Sequence, residues 1–237
     1  MCRENEEKIW GALISDPDTL SSYSKRLGVQ SKIEFKDLYS TEDWALELIS
    51  GEPISIILLF PLNETLVKMR ECNNDSNSPE SSSLSEGVWF MRQYVKNSCG
   101  IVALIHSVLN NMERIKVEQG SFIHEISSVK DEGENLPEKR GLFLKENKDV
   151  EQMHEEITLS GQNCHCEPYE VDHHYISFII KNDKIFELDG RLTSPINHGR
   201  CLKEDFLRRT VEIIKTKFIN YLDESDNVAI TVLTEDR

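Results

Sequence analysis

The segment "CGIVALIHSVL", residues 99–109, constrains the fold more than any other stretch of this chain. Ile101, Leu104, Ile105 and Val108 recur at i, i+3, i+4 and i+7, which commits one face of a helix to a core. Asn97 and Ser98 precede it as candidate N-caps. Cys99 is therefore expected in the first helical turn, where unpaired backbone N–H groups and the positive end of the helix dipole favour an anion. A thiol so placed, with a cationic neighbour, ionises well below its usual pKa of about 8.5. Gly100 is expected to let a substrate backbone approach closely. Cysteine is also a common core residue, so the thiol alone reads as either filling or nucleophile.

The remaining chain mixes strand-like and helix-like stretches, which predicts an α/β fold. "IEFKDLY" (Ile33–Tyr39) and "ISIILLF" (Ile54–Phe60) read as strands. Between them "TEDWALELIS" reads as a helix capped by Thr41. "ECNNDSNSPESSSLSEG" (Glu71–Gly87) reads as an exposed loop, and "VWFMRQ" (Val88–Gln93) returns to the core. "LSGQNCHCEPYEVD" (Leu159–Asp172) has little periodicity and reads as a loop. "KEDFLRRTVEIIKTKFINYL" has helical amphipathicity, and "NVAITVL" makes a final strand. At 237 residues the chain suits a single domain spanning 1–237.

Composition excludes several functions. The net charge of −15 makes nucleic acid a poor partner, because phosphates are repelled. It suits a basic protein partner, or simply solubility. The longest apolar run falls far short of the roughly 18–20 residues that span a bilayer, so no membrane association is expected. "MCRENEEKIW" is too charged for a signal peptide, and the expected location is cytoplasmic, with the nucleus as a further compartment. Cys2, Cys72, Cys99, Cys164, Cys166 and Cys201 then read as free thiols. Cys164, His165 and Cys166 are too crowded, and too few, for a structural zinc site. Neither metal nor cofactor is expected.

A partner for Cys99 comes from "HHYISFIIKNDKIFELDG", which reads as a β-hairpin. A turn centred on Asn182-Asp183 puts His174 diagonally across from Asp189; one centred on Lys181-Asn182 puts it directly across. Both registers place the pair on one face and His173 on the other. A carboxylate bonded to one imidazole nitrogen frees the other to take a thiol proton. Gln93, six residues before Cys99, is a candidate oxyanion donor together with the Cys99 N–H.

"WFMRQYVKNSCGIVALIH", "HHYISFI" and "FELDGRLTSPINHG" resemble the signature blocks of the ubiquitin C-terminal hydrolase family. These are papain-like deubiquitinating cysteine proteases. "IWGALISDP" is similar to the family's N-terminal segment, and the early end of the chain resembles the short members. The resemblance implies a largely antiparallel sheet between helices, with a knotted backbone and an active-site crossover loop over about 154–171. It implies Cys99 as nucleophile, His174 as general base and acid, Asp189 as orienting carboxylate and Gln93 as oxyanion donor. His173 stands where relatives often carry an apolar residue, and strand parity favours His174 as the acting histidine. Leu13, Pro17, Leu159, Ser160, Gly161 and Gln162 match positions near bound ubiquitin, and His198 is expected to stabilise its loop. The implied partner is ubiquitin, or its relative Nedd8, bound by a monomer. The implied reaction is hydrolysis at the modifier's C-terminal glycine, favouring small or unfolded leaving groups. A ubiquitin-storing protein with weak turnover is the alternative.

Overall fold

The computed structural model describes residues 8–68, 70, 87–130, 135–161, 172–223 and 225–235. In chain order these form α1 (Pro17–Arg26), β1 (Ile33–Asp37), α2 (Asp43–Glu47), β2 (Glu52–Pro61) and α3 (Cys99–Leu109). There follow α4 (Phe122–Ser127), α5 (Leu136–Glu146), α6 (Lys148–Gly161), β3 (His173–Lys181), β4 (Lys184–Leu188), β5 (Ile196–Arg200), α7 (Phe206–Lys217) and β6 (Ala229–Glu235). The strands make one sheet in the order β1-β6-β2-β3-β4-β5, antiparallel at every pairing. Among the described residues no helix is long and apolar enough to cross a membrane.

The central strands β2 and β3 are covered on both faces, which is why they read as continuous apolar runs rather than alternating ones. On one face Ile57 of β2 and Tyr175 of β3 share a core with Ile101, Leu104 and Ile105 of α3. On the other, Ile56, Ile176 and Phe178 pack with Phe206, Val211 and Ile214 of α7. The apolar stripe of α3 understates its burial, since all eleven of its residues are buried. Its Ser107 hydroxyl is satisfied internally. Ser55 Oγ donates to Ser107 Oγ at 2.8 Å, and Ser107 Oγ donates to Ala103 O at 2.9 Å.

The hairpin turn centres on Asn182 and Asp183, whose φ angles of 49° and 55° are those of a two-residue type I′ turn. Lys181 pairs Lys184 and Ser177 pairs Leu188. This selects the diagonal relation between His174 and Asp189. The left-handed conformation that Asn and Asp tolerate best sets the register here.

Three expectations need correction. Thr41 does not cap α2; the helix begins after Glu42, whose N–H is instead taken by the Ser40 hydroxyl at 3.2 Å. The segment from 154 is not loop at its start, because α6 continues to Gly161. Val150, His154 and Ile157 fall at helical spacing and are all buried, so packing outweighs the polar local sequence. Residues 162–171, which carry Cys164, His165, Cys166 and the expected crossover and knot, lie outside the described residues, as do 71–86 of the Ser/Asn-rich stretch. The third correction concerns the cap of α3 and is taken up with the site.

His154 ties α6 to the N-terminal segment. The Gly11 carbonyl can only accept, so Nε2 donates to it at 2.8 Å and Nδ1 accepts from the Tyr23 hydroxyl at 2.8 Å. This needs a neutral ring, and burial lowers the pKa to about 4. The unfolded chain binds that proton near pH 6.5 and the native state does not. His154 therefore costs stability as pH falls from about 6.5 towards 4. Between pH 7 and pH 5 its share of the loss is roughly 2 kcal/mol. Urea denaturation of His154→Gln should show a correspondingly smaller loss over that interval than the unsubstituted protein.

Candidate active site

Cys99 opens α3 with 9% of its surface exposed. Neither expected cap is made. Ser98 has φ −85° and ψ 8°, rather than the extended backbone that aims a cap side chain at the amides. Its hydroxyl donates to Val95 O at 2.8 Å. Asn97, at φ 63°, donates through Nδ2 to Trp10 O at 3.2 Å. No side chain caps the helix, so the amides of its first turn stay open to an anion beside the thiol.

β3 delivers His174 and the residue after β4 delivers Asp189, both fully buried. His174 Nε2 bonds Asp189 Oδ1 at 2.7 Å. The other nitrogen, Nδ1, has no hydrogen-bond partner among the described residues and is free for a thiol proton. Burial alone raises the Cys99 pKa, but the influence of the His174 ring and its charge outweighs burial, and the pKa falls below the ordinary thiol value. Burial lowers the His174 pKa, yet the charge and hydrogen bond of Asp189, then Cys99, raise it above the ordinary imidazole value. The two shifts oppose in sign and together favour a thiolate–imidazolium pair.

Asp189 is held by more than its histidine. Oδ1 also accepts from the Arg191 N–H at 2.9 Å, and Oδ2 accepts from Arg70 Nη2 at 2.5 Å. Burial disfavours the carboxylate, but the charges of His174 and Arg70 hold it far below the usual range. Sequence reasoning did not find Arg70. It sits at the edge of the Ser/Asn-rich stretch in "MRE", where no spacing signals a role.

Gln93 is positioned from both sides. Its N–H donates to Gly190 O at 2.8 Å, and its Nε2 donates to Val95 O at 3.0 Å, leaving the second amide N–H. A Cβ on Gly190 would lie 3.1 Å from Gln93 Cβ and 2.9 Å from Val102 Cγ1, so only glycine lets this backbone come so close. Upstream, helix side chains take the place of a partner strand. Asn110 accepts from Trp89 N at 2.7 Å and donates to Trp89 O at 2.8 Å. His106 Nε2 lies 3.1 Å from Met91 N and 3.2 Å from Met91 O. Asn110, His106 and Gly190 thus fix the backbone at Trp89, Met91 and Gln93 in turn.

Gly100 does not face a substrate path. A Cβ there would lie 2.9 Å from Leu13 Cβ and 3.4 Å from the Tyr175 ring, so the small residue admits the chain's own N-terminal segment. Leu13 is buried, and its carbonyl accepts from the Tyr175 hydroxyl at 3.1 Å. It lines a cavity of about 240 Å3 with Ala12, Leu59, Asn97, Cys99, His173 and Tyr175. His173 lines this groove, whereas His174 lines a neighbouring cavity with Asp189 and Arg70, as strand parity requires. Pro17, half-buried at the start of α1, does not line it. Leu159 and Ser160 are exposed at the end of α6, where neighbouring Thr158 touches Gly11. Gly161 ends that helix, and Gln162 lies outside the described residues. His198 stays clear of the trio and bonds Glu187 Oε2 through Nε2 at 2.9 Å.

An antiparallel sheet that sets an imidazole–carboxylate pair beside a helix-terminal thiol defines a cysteine-type hydrolase. The chain belongs to ubiquitin carboxyl-terminal hydrolase family 1, whose model matches residues 10–219. It is 34% identical over 209 residues to a ubiquitin carboxyl-terminal hydrolase of Drosophila melanogaster, covering 87% of this chain and 89% of that one. It is 33% identical over 211 residues to a probable ubiquitin carboxyl-terminal hydrolase of Dictyostelium discoideum, covering 88% and 82%. The catalytic domain of Trichinella spiralis UCH37, solved bound to ubiquitin vinyl methyl ester, shares the fold. Its TM-score is 0.74 at 20% identity, covering 98% of this chain and 97% of that one.

The paired shifts make thiol reactivity testable without substrate. Iodoacetamide labelling of Cys99, followed by mass spectrometry of its peptide, should remain fast below pH 8.5, where an ordinary thiol slows. His174→Ala should move the inflection to higher pH, because the imidazolium that lowers the Cys99 pKa is lost.

Proposed function

We propose that this chain hydrolyses amide, ester or thioester bonds at the C-terminal glycine of ubiquitin, with Cys99 as nucleophile. The observation that carries this reading is the buried His174–Asp189 bond at 2.7 Å with the second imidazole nitrogen left for the thiol. The thiolate attacks the glycine carbonyl, forming a C–S bond and a tetrahedral oxyanion. Gln93 Nε2 and the Cys99 N–H stabilise that oxyanion. The imidazolium of His174 gives its proton to the leaving amine as the C–N bond breaks. The neutral ring then takes a proton from water, which attacks the thioester and releases the carboxylate and thiolate.

Several features support the substrate. The cavity beside Cys99, of about 240 Å3, is largely apolar, which suits a glycine-ended tail next to the reacting carbonyl. Nedd8 shares the terminal glycines, and ubiquitin is the preferred modifier in this reading because all the named relatives carry its name. The storage alternative is disfavoured by the thiol itself, since binding a tail does not require a depressed thiol pKa. The trio lies within one chain, which supports action as a monomer.

Release of a fluorophore from the C-terminus of ubiquitin tests the assignment. Cys99→Ala and His174→Ala should abolish turnover, and His173→Ala should retain most of it. A mild His174→Ala with a dead His173→Ala would reverse the roles of the two histidines. Gln93→Ala should lower kcat by about 10²–10³ with little change in KM, as expected for an interaction made only in the transition state. Tight ubiquitin binding without release by the unsubstituted protein would favour storage. Faster release from Nedd8 would reassign the modifier.

A further inference from the structure

We propose that Arg70 is a positioning residue of the catalytic trio: its guanidinium bridges two adjacent buried carboxylates, Asp189 and Glu187, and so holds Asp189 against His174. The inference rests on the trio assigned above and adds a residue to it.

The need for a bridge follows from β4. Glu187 and Asp189 are two apart on an extended backbone, so their side chains leave on the same face. Both are almost fully buried, at 2% and 1% exposure. Two carboxylates in such a layer repel, and each has lost its hydration. Arg70 Nη2 lies 2.5 Å from Asp189 Oδ2 and 2.7 Å from Glu187 Oε1, so one cation serves both. The result is a continuous polar line, His174–Asp189–Arg70–Glu187–His198, of which only the first link touches the thiol.

The guanidinium is itself held. Its Cζ lies 5.7 Å from the Phe60 ring and 5.3 Å from the Phe218 ring. The two rings meet edge to face at 4.9 Å, and Phe60 also meets the His174 ring edge to face at 5.9 Å. One aromatic wall therefore locates both the imidazole and the cation on either side of Asp189. A planar guanidinium fits this arrangement; an ammonium is a point charge that cannot stack in it. The shifts agree in direction. Burial, and after it Asp189, push the Glu187 pKa up, and Arg70 and His198 outweigh them and hold it below the ordinary value.

The groups facing His174 are Asp189 and Cys99. Beyond them stand Arg70, Glu187, His198, Arg191 near the thiol and the buried His106, which senses Asp189. Removal of Arg70 leaves two carboxylates with too little positive charge. One of them turns away or takes a proton, and Asp189 then stabilises the imidazolium less. The inflection of Cys99 alkylation, which reports formation of the thiolate beside the imidazolium, moves to higher pH. Removal of the second carboxylate as well lets Asp189 stay ionised and returns the inflection towards lower pH.

The experiment measures kcat and KM for release of a fluorophore from ubiquitin, and the pH profile of Cys99 alkylation. It compares the unsubstituted protein with Arg70→Met, Arg70→Lys, and Arg70→Met combined with Glu187→Gln. Arg70→Met should lower kcat about tenfold or more with KM within about twofold, and should move the alkylation inflection to higher pH. Arg70→Lys should fall between, and the double variant should recover part of kcat and of the inflection. An unchanged kcat and profile in Arg70→Met overturns the inference. So does a loss of activity with an unmoved profile and no recovery in the double variant, since that outcome marks a structural role alone. If Arg70→Met does not fold, Arg70→Lys decides by the same two readouts. A His174→Ala variant separates the two levels. Full activity there refutes the trio, whereas its inactivity beside an unimpaired Arg70→Met refutes only the bridge.

Discussion

A charged carboxylate with almost no solvent contact governs this structure. Asp189 stays ionised because three donors converge on it: the His174 ring, the Arg191 amide and the Arg70 guanidinium. Each donor arrives from a different piece of chain, and each piece must be in place for the ion to be tolerated. A neutral Asp189 would leave His174 with less reason to hold a proton, and the Cys99 thiol would lose the cation that lowers its pKa. In the proposed trio, thiol chemistry at the start of α3 depends on charge compensation on the far side of β4.

The helix α3 serves two ends at once. Its N-terminus presents Cys99 with open amides, and its interior supplies the central apolar layer of one core. Its buried polar residues do more than satisfy themselves. His106 and Asn110 grip the backbone at Met91 and Trp89, which carries the chain to Gln93. The proposed nucleophile and oxyanion donor are in this way referenced to the same rigid element, although six residues separate them in sequence. Gly190 closes the arrangement from the other direction, by joining the residue after Asp189 to the Gln93 N–H.

The N-terminal segment has a similar part. Leu13 covers Gly100 and forms one wall of the groove at the thiol, and its position is secured by Tyr175 below and by His154 acting on Gly11. Leu13 was expected near ubiquitin and does line the groove. Gly100 was expected to admit substrate and instead admits this segment. The difference is steric: the missing Cβ is used by the chain itself.

Local sequence determined the helix beginning at Cys99, the Asn182-Asp183 hairpin and the shared face of His174 and Asp189. Those features follow from periodicities of 3.6 and 2 and from a turn that favours two left-handed residues. Local sequence misplaced the caps of α2 and α3 and ended α6 too early. Ser40 and Ser98 are taken by bonds to residues two and three away and Asn97 by Trp10 O, while burial of Val150, His154 and Ile157 carries α6 onward. It could not reveal Arg70. That residue gains its proposed role only when β4 turns two acids inward and two aromatic rings close around the cation. Periodicity fixes which way a side chain faces; only the packed fold fixes what it meets there, and for a buried charge the partner it meets decides whether it remains charged.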